Sequence, residues 1–396
     1  MRLVLAMVDP PLPFGNAAAR EYYALFVALT KRHDVTVFAV CASEEERAQA
    51  MELFPSTHYD LRCYLRPVRT SWRAPLETLK RPLSHPFSAE LVRDLHRALA
   101  APYDALHLEQ TASGWLALEH RRRAVLNVHF LGSLDWARSS LKMTRVWLER
   151  RLMMRAEHRL IRAFPNIRTL SPRLAREVSR INPAAAVHTI PLAIDSALYR
   201  PTAMAAQDKP VVSLIGSMRW RPNRLAAERF LTELWPDIRR RVPGARAQIV
   251  GWDAERELAS YRGTPGVVIE QNVSEIRPYF ERSSLLLYPQ VRGSGMKVKV
   301  LEALALGVPV VTTRDGVEGL SAVHGVHAAI ADDDAGLVEL TVRLLSDAQL
   351  RERLRSAGRK LVERVCGAEV VAEQLEELYT RLWADAARGT ERRWRS

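Results

Sequence analysis

Apolar residues along this chain gather into short unbroken runs, separated by longer stretches in which they recur every three or four positions. Runs at 2–8, 34–42, 105–108, 124–128 and 167–170 read as strands, and the stretches 17–32 and 144–163 read as helices. Strands alternating with helices predict a parallel sheet with crossover connections. The second half repeats the style, with strands at 211–215, 247–250, 267–270, 284–288 and 310–312 and a helical pattern at 225–242. Between the halves, residues 183–210 are rich in proline, alanine and short polar residues, with Asp195 and Pro201 as turn formers. The expected organisation is a first α/β domain over 1–190, a linker over 191–210, a second α/β domain over 211–370, and a terminal helix with a basic tail over 371–396. That last helix is expected to pack back on the first domain.

One stretch carries more chemistry than the others. Residues 284–288 form an apolar run, Gly293 and Gly295 follow, an apolar helix opens near Met296 and stops at Gly307, and 308–313 begins another buried strand. Glycines let backbone amides approach a ligand closely, and a helix N-terminus behind them favours negative charge. Glu302 lies in this otherwise apolar helix, so its carboxylate needs a partner to offset desolvation. A hydroxylated ligand or Lys299, one turn earlier, can supply it.

Composition narrows the class. At 396 residues the chain suits two α/β domains better than one core. Cys41, Cys63 and Cys366 are scattered, which predicts no disulfide framework and fits a reducing cytoplasm. The apolar opening stops at Asp9 without a cleavage signal, and no run approaches the ~20 residues of a membrane span. The net charge of +13 fits phosphate-bearing substrates or an anionic membrane surface; no recognition motif supports nucleic acid. Asp332-Asp333-Asp334 reads as a helix-capping turn rather than a metal site, so no metal is expected.

At the glycine loop and its helix the chain resembles the retaining, nucleotide-sugar-dependent glycosyltransferases of family 4, the "glycosyl transferases group 1" type. The resemblance spans nearly the whole sequence and is strongest over 211–320. It implies the GT-B fold: two Rossmann-like domains with parallel sheets facing a central cleft. It places Glu302 at the ribose of the donor, with Gly293, Ser294, Gly295, Met296 and Lys299 around it; Ser294 stands where the family often has a second glutamate. It carries over Gly15 from the loop after the first strand, although Asn16 replaces the usual second glycine. His129, at a strand end, matches the histidine beside the donor sugar. Residues 190–195 and 199–201 resemble the hinge, with Leu192-Ala193 in place of Asn-Gly. After Gly216 the family's arginine and lysine are Ser217 and Asn223, so the cations left for a diphosphate are Arg219, Arg221 and Lys297. Lys297 is the first choice because it sits at the helix start.

The resemblance implies transfer of a sugar from a nucleoside-diphosphate sugar to a saccharide or lipid-linked acceptor. It also implies retention, no cofactor besides the donor substrate and no metal, in a cytoplasmic protein able to sit at the inner membrane face. His107 and Glu109 are candidate acceptor-side groups. The basic stretch 61–87, with Tyr64 and Trp72, reads as an irregular acceptor- and membrane-facing region, whereas the arginine-rich helix bearing Glu157 reads as a surface helix docked on its sheet. Two other readings stay open: a GT-B sugar-nucleotide epimerase, and a non-catalytic nucleotide-sugar-binding partner.

Overall fold

The computed structural model describes residues 1–396 except 55–58, 69–81, 85, 136–144, 202–208, 274, 291–292 and 394–396. It resolves into two compact units, Met1–Asp195 with Gly367–Ser396, and Ser196–Cys366. In the first unit, β1 (Arg2–Met7), β2 (Asp34–Cys41), β3 (Tyr59–Leu65), β4 (Ala105–Leu108), β5 (Ala124–Val128), β6 (Asn166–Thr169) and β7 (Ala186–Thr189) form one parallel sheet in the order β3-β2-β1-β4-β5-β6-β7. Alternate residues of β1 feed different cores. Leu3, Leu5 and Met7 pack with Tyr22, Phe26 and the terminal helix, while Val4 and Ala6 pack with Phe38, Leu91 and Phe164. A strand covered on both faces must be apolar where it is covered, and from Leu3 to Met7 this one is.

The helix Ala368–Arg393 belongs to this unit. Val371, Leu375, Leu378, Tyr379 and Leu382 join the core beside the helix Ala17–Thr30, and Lys31 and Arg32 pair with Glu369 at its start.

In the second unit, β8 (Val211–Ile215), β9 (Arg246–Gly251), β10 (Val267–Gln271), β11 (Leu285–Tyr288), β12 (Val310–Thr312) and β13 (Ala329–Ile330) form a parallel sheet in the order β10-β9-β8-β11-β12-β13. Both sheets reverse strand order beside their first strand, between β1 and β4 and between β8 and β11. In open parallel sheets the crevice at such a reversal, outside the carboxyl ends of the strands, is where ligands bind.

Three sequence expectations change. The stretch 61–87 opens as β3, an edge strand with Tyr64 buried, rather than as irregular chain; 69–81, including Trp72, lie outside the described residues. Residues 183–210 contain β7, the last strand of the first sheet, because Ala186–Thr189 finds a partner in β6 that composition does not reveal. The helical stretch 225–242 begins earlier, at Arg221, where Pro222 is tolerated in the first turn. It then widens into a π turn, Phe230–Leu234, before Trp235–Arg241, since Pro236 has no N–H to give the regular ladder. Among the described residues, no helix is long and apolar enough to cross a membrane.

Candidate functional site

The candidates divide between the units, Gly15, His107, Glu109 and His129 in the first and the others in the second. In the second unit, β11 delivers the glycine loop to the strand-order reversal. Gly293 and Gly295 hold φ of 127° and 81°, backbone that L side chains avoid. Residues 291–292 of this loop lie outside the described residues. Ser294 and Met296 are buried. The helix Val298–Leu306 follows with Lys297 as its N-cap, and no side chain caps its first turn. It ends at Gly307, whose φ of 74° makes the left-handed stop that the sequence pattern implied.

Lys297 is 8% exposed, and its ammonium turns into the loop, bonding the Gly295 carbonyl and lying 3.5 Å from the Gly293 carbonyl and 3.6 Å from Glu318 Oε2. A desolvated cation is thus pinned at the glycine turn. Glu302 is fully buried. Tyr199 Oη donates to its Oε1 at 2.9 Å and Lys299 Nζ to its Oε2 at 2.7 Å, two partners that come from the unit itself. Arg359 bonds the carbonyls of Tyr199 and Ala305, binding the same corner from behind.

Beside it, the loop after β8 is built on close approach. Gly216 N donates to Val250 O at 2.9 Å, and a Cβ on Gly251 would stand 1.7 Å from the Gly216 carbonyl oxygen. Asn223, where the resemblance leads one to look for a lysine, donates to Ser217 O at 3.0 Å and accepts from Tyr288 Oη. It ties the β8 loop to the end of β11. Arg219 does not stand free for a diphosphate: its Nε bonds Asp253, which also meets Arg256 at 2.9 Å, and its guanidinium stacks 4.6 Å from the Trp252 ring. Arg221 opens its helix and is exposed. Asp333 caps the helix Asp334–Ser346 through Gly336 N at 2.7 Å, and Asp334 pairs with Arg229 at 2.6 Å, so this acidic run is a braced helix start.

In the first unit, the loop after β1 reaches Gly15 at φ 84°, with open space where a side chain would be. Asn16 caps the next helix and bonds Asp9 at 2.9 Å, and burial pushes the Asp9 carboxyl up. At the ends of β4 and β5 lies a buried polar cluster. His129 Nε2 is 2.8 Å from Glu109 Oε2, and Asn127 Nδ2 bonds the same oxygen. His107 Nε2 is 2.9 Å from Glu109 Oε1, and its Nδ1 meets Tyr379 Oη of the terminal helix at 2.5 Å. Burial alone would push the Glu109 carboxyl up, but its contacts with His107 and His129 outweigh that and hold it well below the usual carboxylate range. Glu109 can only accept from His129 Nε2, whereas Asn127 Nδ2, 2.8 Å from the same nitrogen, can only donate to it, so the two neighbours hold the ring through Nε2 while asking for opposite tautomers.

Glu21 lies nearby, pushed up to about 7 by burial and then by the Glu109 charge. Glu21, Glu109 and His129 bring ligand atoms within 4.8 Å of one another, a spacing that could hold a cation. Arg168, fully buried, lies 3.7 Å from Glu21 and 3.8 Å from Glu109 and already supplies the positive charge. Sequence reasoning missed Glu21, Arg168, Asn127, Tyr379, Tyr199, Glu318, Asp253 and Gly251. The first two had a usable signal, a charge inside an otherwise apolar helix or strand; the rest become partners only on folding.

Residues 18–198 match the family described as "Glycosyltransferase Family 4", and residues 209–347 the one described as "Glycosyl transferases group 1". The capsular polysaccharide biosynthesis glycosyltransferase CapM of Staphylococcus aureus is 31% identical over 117 residues, 29% of this chain and 30% of that protein; the match therefore spans under a third of that relative's length. Among solved structures, sucrose-phosphate synthase from Thermosynechococcus elongatus superposes with a TM-score of 0.73 at 18% identity, covering 97% of this chain and 100% of that one. Anabaena Alr3699/HepE, solved with UDP-glucose, gives 0.66 at 14% identity, with 96% and 99% covered. These structural likenesses are of fold, the GT-B fold.

Proposed function

The chain belongs to the family 4, group 1 glycosyl transferases, and from that premise we propose that it moves a sugar, with retention, from a nucleoside-diphosphate sugar to an acceptor hydroxyl. The product is a surface polysaccharide or glycolipid, made in the cytoplasm on a saccharide or lipid-linked acceptor. The observation that carries the reading is the Gly293–Gly295 turn, in left-handed backbone, with the buried Lys297 ammonium inside it and an uncapped helix behind it. Charge that grows on a departing diphosphate is stabilised by preorganised donors already desolvated, and this corner has a cation, amides and a helix dipole together. Ser294 offers a hydroxyl and no nucleophilic carboxylate, so the scheme is front-face departure of the diphosphate with no covalent intermediate and no metal called upon. Lys297 and the loop amides take the phosphate role first because they sit at the glycine turn, with Arg221 and Arg219, the latter sharing Asp253 with Arg256, as solvent-side cations. His129, fixed through Nε2 by Glu109, offers Nδ1 to a sugar hydroxyl.

Alr3699/HepE was solved with UDP-glucose, so that donor is tried first, then GDP- and ADP-sugars. Calorimetry reads binding and diphosphate release reads turnover. Lys297→Ala is expected to lower kcat by on the order of 2–4 kcal/mol of barrier, with a smaller effect on donor KM. Binding without any release of nucleoside diphosphate, with or without saccharide acceptors, would make the chain a nucleotide-sugar-binding partner. Interconversion of the donor sugar alone would make it an epimerase.

A further inference from the structure

Among the described residues two lysine or arginine side chains are buried, Lys297 at the glycine loop and Arg168 in the first unit. Arg168 lies inside β6, in register with Asn127 on β5 and His188 on β7, and is fully buried. Burying a guanidinium is costly unless each of its edges meets a partner. One edge meets carbonyls: Nε donates to Ile190 O at 3.1 Å and Nη2 to Pro191 O. The other edge faces carboxylates, with Nη2 3.7 Å from Glu21 Oε1 and Nη1 3.8 Å from Glu109 Oε1. Those two separations exceed a hydrogen bond, so Arg168 acts on both carboxylates through its charge, in an interior where screening is weak.

Glu109 joins this cation to the candidate site. Its Oε2 holds His129 Nε2 at 2.8 Å, and its Oε1 lies 2.9 Å from His107 Nε2. A fully buried carboxylate calls for a compensating positive charge. Either histidine can supply one by taking up a proton, which turns both of its ring nitrogens into donors. Arg168 supplies one permanently, because a guanidinium does not deprotonate in proteins. The other titratable groups that face the cluster are Asp9, Glu21, Tyr22, Tyr379 and His188, and none of them is a permanent cation.

We propose that Arg168 is a positioning residue for sugar transfer: as the fixed cation beside Glu109, it lets that carboxylate hold His129 without drawing a proton onto the ring. The proposal rests on the reading of His129 as the group beside the transferred sugar, where a neutral ring can still accept from a hydroxyl and an imidazolium cannot. Glu21 fits the same account. Two carboxylates against one guanidinium leave a negative charge in excess, and Glu21 is the one that gives way, pushed up to about 7 by burial and then by the Glu109 charge. Arg168 thus serves Glu109 first.

The test compares wild type with Arg168→Gln, Arg168→Lys and the double variant Glu21→Gln, Arg168→Gln. The double variant removes one charge of each sign, so it remains informative if the single glutamine variant fails to fold, and melting curves check each. The first readout needs no substrate. Carbon NMR of ring-labelled histidine follows the His129 resonance, assigned by its loss in His129→Gln. Across roughly pH 6–9 the glutamine variants are expected to lie nearer the imidazolium position than wild type at each pH, and Arg168→Lys to return to the wild-type position. The second readout is release of nucleoside diphosphate. The glutamine variants are expected to lose on the order of tenfold or more in kcat at neutral pH, with donor KM within about twofold and a loss that shrinks as pH rises. The proposal is overturned if the His129 resonance of the folded glutamine variants follows that of wild type. It is overturned too if Arg168→Lys behaves like the glutamine variants, since the carbonyl contacts rather than the charge would then matter. A wild type that releases no nucleoside diphosphate would refute the transferase reading, while the NMR comparison would still decide whether Arg168 keeps the proton off His129.

Discussion

Replacing Glu302 by alanine is expected to destabilise the second unit as well as to weaken donor binding. The carboxylate is fully buried and accepts from Tyr199 Oη at 2.9 Å and from Lys299 Nζ at 2.7 Å. Breaking a buried ion pair by removing one partner costs about 3–5 kcal/mol, and an unsatisfied buried hydroxyl about 1–3 kcal/mol. Lys299 keeps 18% of its side chain exposed and can turn partly to water, which discounts the first figure. A net loss of about 2–4 kcal/mol follows, or a fall in Tm on the order of 5–15 °C for a unit of this size. Glu302→Gln preserves shape and the Tyr199 hydrogen bond while removing the charge, so about half that loss is expected. Differential scanning calorimetry of wild type, Glu302→Ala, Glu302→Gln and Tyr199→Phe, each with and without donor, separates the two roles. If Glu302→Ala melts within about a degree of wild type, the buried-pair reasoning is wrong. If Glu302→Gln folds normally and donor raises its Tm as much as it raises that of wild type, the carboxylate does not hold the ribose.

Gly251→Ala is expected to disrupt the β8 loop, because its Cβ would lie 1.7 Å from the Gly216 carbonyl oxygen and only a backbone shift relieves that; a denaturation midpoint equal to wild type would refute the close approach. Burial pushes Glu157 up to about 7, against 4.5 for a free side chain, so the folded state binds this proton more tightly than the unfolded chain. The stability it contributes is full below about pH 4.5 and is lost as pH rises through 7, and Glu157→Gln should narrow the difference in unfolding free energy between pH 5 and pH 8 by on the order of 2 kcal/mol, read by urea denaturation. Tyr379→Phe removes the partner of His107 Nδ1 and should lower kcat severalfold with donor KM little changed, if the Tyr379–His107–Glu109–His129 chain orients His129; a shift in the pH–rate profile distinguishes orientation from simple loss of stability.

The elements of this protein and the place of its glycine loop follow from local pattern. The apolar run Leu3–Met7 of β1, a glycine turn ahead of an apolar helix and the left-handed stop at Gly307 are statements about neighbours in sequence, where sterics and periodicity act directly. His129 was legible for the same reason, as a polar group at the end of a buried strand. What those groups do was decided by residues far along the chain. Glu302 answers to Tyr199, 103 positions away, and His107 to Tyr379, 272 positions away on a helix that returns to the first unit. Arg219 meets Asp253, 34 residues on, and shares it with Arg256. Gly251 carried no signal until folding set its Cα against the Gly216 carbonyl. Edge strands β3 and β7 were missed because a strand becomes one only when its neighbour supplies the hydrogen bonds. Composition fixes which residues must be buried, but the partner that satisfies a buried charge is chosen by topology, and topology is a property of the whole folded chain.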